Sequence, residues 1–247
     1  MARTVNEKEY AIRRNAILDM TQRLVYTKGY EQMAIQDILN ELQMSKGAFY
    51  HYFDSKPALL EALIERMQQE AEQLLLPIVQ DPHLDALEKF QRYIDAGVRW
   101  KTARKAFLIE LLRVWYSDHN AIVRQKMWAT MTKRAMPLLL EIIYQGIREG
   151  VLNIPYPDQV GTIVLSLIYG LGDAFAELLL SSHPQGDELQ RAKRLVAAYT
   201  DALERVLGAP AGSLTLMDAA ALQEWFAVQS DHAEIDALPA SAGAQAA

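Results

Sequence analysis

The chain has 247 residues, of which 51% are hydrophobic and 23% charged, and its formal net charge is −6. This length suggests one or two domains with an ample core, and the absence of cysteine excludes a disulfide framework and a cysteine-based zinc site. The opening MARTVNEKEY lacks the apolar stretch of a signal peptide, and the longest uncharged run, residues 159–172, is too short to span a bilayer. We therefore expect a cytoplasmic protein with no membrane partner.

Apolar residues recur at helical spacing through the first part of the chain. A stripe over residues 12–24, followed by Gly29, predicts a first helix with a glycine stop. Residues 35–42 carry apolar side chains at i, i+3, i+4 and i+7, which predicts a short second helix. Ser45 is a good N-cap for a third short helix that runs to about Tyr52. Two short helices joined by a brief turn indicate a helix-turn-helix.

The third predicted helix has distinct inner and outer faces. Two phenylalanines four residues apart turn its inner face toward the second helix. The small residues Gly47 and Ala48 let the backbone approach another surface, and Lys46 and Tyr50 can donate to phosphates or base edges. A helix that enters the major groove by its N-terminal residues is the geometry that this motif serves.

This stretch resembles the DNA-binding domain of TetR-family transcriptional regulators, and the resemblance covers roughly residues 8–65. The residues that carry it are Asp37-Ile38, Ser45-Lys46-Gly47, Tyr50-His51-Tyr52-Phe53 and Ser55-Lys56. The resemblance implies a set of DNA contacts, with specificity from the first helix of the motif and the recognition helix and with anchoring from tyrosines and a lysine. The expected contacts are Gln36, Ser45, Lys46, Gly47, Ala48, Tyr50, His51, Tyr52 and Lys56.

Two residues depart from the family pattern. Ala34 stands where the family has a threonine cap, so we expect the second helix to keep its place with a frayed start, aided by Asp37. Gln43 stands where the family favours glycine, and a left-handed backbone there would cost on the order of 1 kcal/mol.

Charge is distributed unevenly along the chain. Residues 1–56 hold eight Lys/Arg and seven Asp/Glu, a net charge of +1, which leaves −7 for the remainder. Because this excess is small, phosphate contact has to come from the placement of individual cations, and we expect modest affinity from each DNA-binding site.

The rest of the chain is helical by pattern. The predicted helices cover residues 57–76 up to Pro77, 84–100, 102–116, 121–149 with a kink or split at Pro137, 158–181 and 187–207. We expect an all-α protein with a helix-turn-helix domain at 1–56 and a helical ligand-binding and dimerisation domain at 57–208. A further amphipathic helix is expected within 209–229, and residues 230–247 form a tail predicted to be disordered.

The helix predicted over 158–181 is apolar on more than one side, so it has to be buried on more than one side. One interpretation is a central helix of a monomeric bundle. The family resemblance favours the other, a homodimer in which this helix and the next form a four-helix bundle with a second subunit. The expected interface residues are Val164, Leu167, Leu171, Phe175, Leu195 and Tyr199.

Aromatic and methionine side chains are concentrated between residues 90 and 144. Such side chains line small-molecule pockets, but they also fill ordinary cores. As a group they predict a cavity for an apolar or aromatic effector, lined by Tyr93, Trp100, Phe107, Glu110, Arg113, Trp115, Trp128 and Met131. Glu110 and Arg113 are either polar groups of this pocket or partners of each other.

No GxGxxG, GxxxxGK[ST], HExxH or GxSxG motif is present, so we expect neither an enzyme nor a bound cofactor or metal. The sequence predicts a homodimeric, sequence-specific DNA-binding regulator. We expect a repressor that a small apolar or aromatic ligand releases from a near-palindromic operator. The alternative is a helical ligand-binding or enzyme scaffold in which the helix-turn-helix is only structural.

Overall fold

The computed structural model describes residues 7–116, 121–181 and 187–226, without the side chains of residue 115 and residues 121–127. Within these ranges all the regular structure is helical, which confirms the all-α prediction. The helices are α1 (Glu7–Lys28), α2 (Ile35–Glu41), α3 (Lys46–Tyr50), α4 (Lys56–Gln80), α5 (Ala86–Thr102), α6 (Lys105–Trp115), α7 (Ala121–Glu149), α8 (Pro157–Leu180), α9 (Glu188–Leu207) and α10 (Ala219–Phe226). The predicted tail, residues 230–247, lies outside the described residues.

The helices pack around two clusters of buried side chains. The N-terminal cluster joins α1, α2 and α3 to the first half of α4, and α6 adds Phe107, Leu111 and Val114 to it. The C-terminal cluster contains residues of α5, α7, α8 and α9, together with Val79 near the end of α4. The predicted division after residue 56 falls at the first residue of α4, so one helix runs from the first cluster to the second.

An ion-pair network links α1, α4 and the start of α6. The guanidinium of Arg66 on α4 donates to Asp19 at 2.6 Å and to Gln22 at 2.9 Å, both on α1. Glu70, one turn further along α4, lies within 4 Å of Arg66 and within 3.5 Å of Arg104, the residue before α6. Charged groups therefore join α1 to α4, and α4 to the residue before α6, in addition to apolar packing.

Helix α4 continues through Pro77 to Gln80, so the prediction that it ends at Pro77 is wrong. Proline has no N–H, and the carbonyl of Gln73 therefore loses its intrahelical partner. Gln73 is exposed, so water can satisfy this carbonyl. Beyond the proline, Val79 is fully buried, and its carbonyl accepts a hydrogen bond of 2.6 Å from the buried ammonium of Lys89. Tertiary contacts thus hold the last turn in place.

Helix α7 likewise runs without a break from Ala121 to Glu149 through Pro137, so it is not split there. Leu138, Leu139, Ile142 and Ile143 follow the proline directly and are all buried in the C-terminal cluster. Their packing outweighs the local cost of proline inside the helix.

The segment after α9, residues 209–226, is called here the C-terminal strap. It contains turns before α10, so the helix predicted within 209–229 covers a shorter stretch than expected. The carboxylate of Glu204 accepts hydrogen bonds from the backbone N–H groups of Gly212 and Leu214, which binds these turns to α9. Leu214, Leu222 and Trp225 are buried, and the indole N–H of Trp225 donates to the hydroxyl of Thr102 at 2.8 Å.

Helix α8 is the most apolar helix of the described chain. By length and composition alone it could cross a membrane: its most apolar window has a mean hydropathy of 1.8, and 22% of that window is buried. Thr162, Ile163 and Ser166 form an exposed strip along it, with Ile163 exposed by 46%. The single chain thus leaves much of this helix uncovered.

Candidate nucleic-acid interface

Asp37 holds the start of α2. The N-cap residue Ala34 has no side chain that can accept a hydrogen bond. Its backbone N–H instead donates to Asp37 Oδ2 at 2.9 Å, while the ammonium of Lys28 donates to Oδ1 at 3.0 Å. These two donors, the backbone N–H foremost, hold the pKa of the Asp37 carboxyl below its usual value. A negative charge in the first turn also complements the helix dipole, so α2 begins at Ile35 without a threonine cap.

Gln43 makes the turn between α2 and α3. Its φ of +49° lies in the left-handed region, so Gln43 adopts the conformation that glycine, the family's preferred residue here, takes most easily. The N–H of Met44 then donates to the carbonyl of Leu39 at 3.0 Å and closes the end of α2. The turn therefore sets the direction in which the next helix leaves.

Helix α3 is short and is held at its start and along its inner face. The hydroxyl of Ser45 accepts from the N–H of Ala48 at 3.2 Å, which confirms Ser45 as its N-cap. Phe49 is fully buried in the N-terminal cluster. The helix ends at Tyr50, two residues earlier than predicted, so His51 and Tyr52 belong to the turn that follows.

The outer face of α3 is open to solvent. The exposed residues among the expected DNA contacts are Gln36, Ser45, Lys46, Gly47, Ala48, Tyr50 and His51. A Cβ added at Gly47 would meet no atom within 4 Å, so the protein itself does not require glycine there. The ammonium of Lys46 lies 5.9 Å from the ring centre of Tyr50. This face has no side chain at Gly47, and it carries a cation at Lys46 and an aromatic ring at Tyr50. Such an arrangement suits close approach to a nucleic-acid groove.

Lys56 and Tyr52, the other two expected contacts, are half-buried. The Lys56 ammonium donates to the carbonyl of Glu31 at 3.2 Å and lies 4.3 Å from the ring centre of Tyr30. Burial lowers the pKa of this ammonium, and the nearby charge of Glu31 opposes that effect. Lys56 thus already binds the connection between α1 and α2, and a phosphate contact would be an additional role.

Tyr10 on α1 adjoins this surface, although the sequence did not single it out. Its ring centre lies 4.8 Å from that of Tyr52 and 5.7 Å from that of His51. One turn further along α1, the guanidinium of Arg14 lies 5.3 Å from the ring centre of Phe53. In the sequence, the spacing of residues 10, 14 and 17 places them on one face of a helix. That spacing does not indicate which other segment packs against this face.

The residues expected to line an effector pocket lie in several different surroundings. Trp100 and Phe107 pack in the N-terminal cluster, whereas Tyr93 packs in the C-terminal one. Glu110 and Arg113 form an ion pair of 2.6 Å with each other. The side chain of Trp115 lies outside the described residues.

Two of the expected pocket residues, Trp128 and Tyr93, lie near Tyr169, a residue that the sequence analysis did not single out. The ring of Trp128 lies 4.0 Å from that of Tyr169, and the hydroxyl of Thr132 is 3.4 Å from the Tyr169 hydroxyl. Burial, with smaller contributions from Tyr169 and Glu72, raises the pKa of Tyr93 to about 12. Met131 lies on the same helix as Trp128 and is half-buried. Neutral phenols, an indole and a hydroxyl thus gather between α5, α7 and α8.

Two open clefts lie elsewhere in the described chain. One, of about 380 Å³, lies between α9 and the C-terminal strap, and the other, of about 770 Å³, lies along α8 beside Tyr116, Asp173 and Glu177. Neither is lined by any of the seven expected pocket residues whose side chains the structure describes.

The expected dimer-interface residues are covered to different extents. Val164 is fully buried inside its own chain and has no surface for a partner, so its assignment to the interface is wrong. Phe175 packs against Trp225 and Phe226 of the C-terminal strap. The remaining four, Leu167, Leu171, Leu195 and Tyr199, are half-buried.

Two family models match the chain. One, described as bacterial regulatory proteins of the tetR family, matches residues 17–63, which hold the helix-turn-helix. The other, described as a tetracyclin repressor-like C-terminal domain, matches residues 112–175 in α6, α7 and α8.

Similar curated proteins match through the N-terminal region. An uncharacterized HTH-type transcriptional regulator of Lactococcus lactis is 49% identical over 49 residues, which are 20% of this chain and 25% of that protein. The HTH-type transcriptional repressor NemR of Escherichia coli is 33% identical over 67 residues, or 27% of this chain and 34% of NemR. The matches therefore span between a quarter and about a third of these relatives.

Solved structures are similar over most of the chain. A TetR-family transcriptional regulator from Pectobacterium atrosepticum has a TM-score of 0.64 at 21% identity, covering 83% of this chain and 100% of its own. Reduced E. coli NemR has a TM-score of 0.52 at 18% identity, covering 80% and 99%. These similarities show a shared fold. The two family models, one over the helix-turn-helix and one over α6 to α8, show that the chain belongs to the TetR family of bacterial regulatory proteins.

Proposed function

We propose that this protein is a sequence-specific DNA-binding transcriptional repressor of the cytoplasm. The observation that carries the proposal is the exposed outer face of α3, where Gly47 leaves room that none of the described residues fills. Lys46 and Tyr50 flank this opening with donors for phosphates or base edges. The capped start and buried Phe49 fix the helix, so its outer face is preorganised for a major groove.

The protein is proposed to act as a homodimer through α8 and α9. Thr162, Ile163 and Ser166 form an exposed strip on α8, and Ala197 and Ala198 are exposed on α9, which packs against α8. Small side chains such as these alanines allow close approach of helices. A second copy would cover the apolar surface of α8 that one chain leaves open. Two-fold symmetry would then demand a near-palindromic operator with half-sites about one helical turn or more apart.

A small apolar or planar aromatic effector is proposed to bind between α5, α7 and α8, beside Tyr93, Trp128 and Tyr169. The oxygen Oε1 of Gln68 on α4 is buried with no hydrogen-bond partner, one turn before Glu72. A buried acceptor of this kind calls for a partner that the described residues do not supply, such as a water or a ligand.

Movement at this site would reach the DNA-binding helices through α4. The carboxylates of Glu65 and Glu72 on α4 pair with Arg134 of α7, at 3.5 and 2.7 Å. The first half of the same helix is buried in the N-terminal cluster. A ligand that separates α7 from α4 would therefore alter the spacing of the two recognition helices, and coupling of about 1–3 kcal/mol would release the operator.

An electrophoretic mobility shift with the DNA that flanks the protein's own gene tests DNA binding. Wild-type protein should retard this DNA, and Lys46→Ala should weaken the complex. Lys133→Ala removes an equal charge from an exposed site on α7 and should not weaken it. Because the operator need not flank the gene, a pool of random duplexes serves as the second substrate.

The alternative is a helical ligand-binding or enzyme scaffold whose helix-turn-helix is only structural. Failure of the wild type to bind any duplex of the pool would favour this alternative. The effector is tested separately, because a bound aromatic compound should quench Trp128 fluorescence and raise the melting temperature. Trp128→Phe should lose this quenching, whereas Trp225→Phe, in the C-terminal strap, should keep it.

A further inference from the structure

Three aromatic rings meet where α1 passes the end of the recognition helix. Tyr10 is tilted against Tyr52 with ring centres 4.8 Å apart, and it meets His51 edge to face at 5.7 Å. His51 and Tyr52 meet edge to face at 5.3 Å, so each ring contacts both of the others. Tyr10 lies on a different helix, and it joins segments about forty residues apart in the chain.

His51 has little else to hold it. It follows the last residue of α3 and is exposed, so neither the helix nor the core restrains its imidazole. An unrestrained ring samples several rotamers, and ordering it on DNA costs conformational entropy. Contacts with the edges and faces of neighbouring rings reduce that cost, because ring pairs favour a few geometries.

We propose that Tyr10 is a positioning residue for sequence reading, which orients the His51 imidazole and the Tyr52 ring at the DNA-facing surface. The inference rests on the proposed DNA-binding function and adds a residue of α1 to the reading site. Arg14, one turn later, places its guanidinium 5.3 Å from the ring centre of Phe53, so one face of α1 lies along residues 51–53. Tyr10 contributes through its ring, and its hydroxyl is dispensable.

Four variants separate the ring contact from simple loss of packing. Tyr10→Phe keeps the ring, Tyr10→Leu keeps an apolar side chain without a ring, and Tyr10→Ala removes both. Tyr26→Ala is the matched control, because Tyr26 is a half-exposed tyrosine near the other end of α1, 42% exposed.

The first measurement compares the affinity of each variant for two kinds of duplex. One is the duplex that the wild type selects from a random pool. The others differ from it at the base pairs where His51→Ala alters the preference. Tyr10→Ala and Tyr10→Leu should lose about threefold to tenfold of the preference for the selected duplex, the cost of ordering one side chain. Tyr10→Phe and Tyr26→Ala should retain it. In the His51→Ala background, Tyr10→Ala should cause no further loss of preference, since it acts through His51.

The second measurement needs no DNA. The imidazole proton resonances of His51 should move toward free-histidine values in Tyr10→Ala and Tyr10→Leu, and stay in place in Tyr10→Phe, because a nearby ring shifts them. Thermal unfolding of each variant checks that the fold is retained, and Tyr10→Leu serves if Tyr10→Ala does not fold.

The possible failures differ from one another. A wild type that binds no duplex refutes the proposed function and this inference together. A wild type that binds while Tyr10→Leu keeps its preference and its His51 resonances refutes the inference alone. Loss of preference in Tyr10→Leu that adds fully to that of His51→Ala also refutes it, since Tyr10 would then act independently of His51.

Discussion

Replacing Gln43 by glycine should stabilise the protein, although glycine usually does the opposite. Gln43 is exposed and has a φ of +49°, a left-handed conformation that costs a residue with a side chain roughly 1–2 kcal/mol. Glycine escapes that cost but gives the unfolded chain more freedom, worth about 0.5–1 kcal/mol. The first effect is larger, so Gln43→Gly should raise the free energy of unfolding by about 0.5–1 kcal/mol.

Glu41→Gly is the matched control, because Glu41 is exposed, lies two residues away and has helical backbone. This change should lower the free energy of unfolding by about 0.5–1 kcal/mol. Urea unfolding followed by circular dichroism, at one protein concentration for all variants, gives both values. For a chain of this size each kcal/mol corresponds to about 2–4 °C in melting temperature.

The reasoning is refuted if Gln43→Gly destabilises the protein as much as Glu41→Gly does. Because glycine adopts the backbone conformation already present, the direction of α3 should not change. Affinity for DNA should therefore stay within about twofold of the wild type, as expected for a substitution that acts mainly through the unfolded state.

Four further predictions concern other parts of the molecule. Lys56→Ala should reduce the salt dependence of DNA binding by about one unit per subunit, and an unchanged slope in mobility shifts over a salt series would limit Lys56 to its contact with the connection between α1 and α2. Ile163→Glu should give a folded monomer in sedimentation at micromolar concentration, whereas a wild type that is itself monomeric would contradict the dimer. Trp225→Phe removes the donor to Thr102 and should lower the free energy of unfolding by about 1 kcal/mol in urea; no change would mean that the bond is not formed in solution. Because the folded pKa of Asp37 is lowered, its stabilising contribution is present above the unfolded value of 3.8 and is lost as the pH falls through the folded value. Asp37→Asn should therefore flatten the acid limb of a stability–pH curve, and an unaltered limb would assign the pH dependence to other groups.

Local features of the helix-turn-helix could be predicted from the sequence because they depend on residues that are neighbours in the chain. The Ser45 cap needs only the N–H three positions later. The family resemblance marked the position of Gln43 as one that favours glycine, and Gln43 has a left-handed backbone there. The start of α2 also depends on nearby residues. Its contact with Lys28, however, forms only because the connection between α1 and α2 folds so that the Lys28 ammonium reaches Asp37.

The family resemblance and the apolar periodicity together predicted two helical regions and an effector site in the second. They could not predict how the aromatic residues divide between the two clusters. A helical stripe shows that one side of a helix is buried, but not which helix covers it. Phe107 is buried in the N-terminal cluster and Trp100 packs against it, and the ring that lies beside Trp128 is that of Tyr169.

The sequence by itself determined the helix-turn-helix, its outward-facing residues and the apolar excess of α8, because these follow from short-range spacing and from composition. Only the tertiary structure decided that α4 and α7 continue through their prolines, since buried side chains beyond each proline outweigh a local penalty. It also decided that Val164 is internal and that Tyr10 meets His51. Contacts between distant segments depend on how whole helices pack, and that information is not contained in any local pattern.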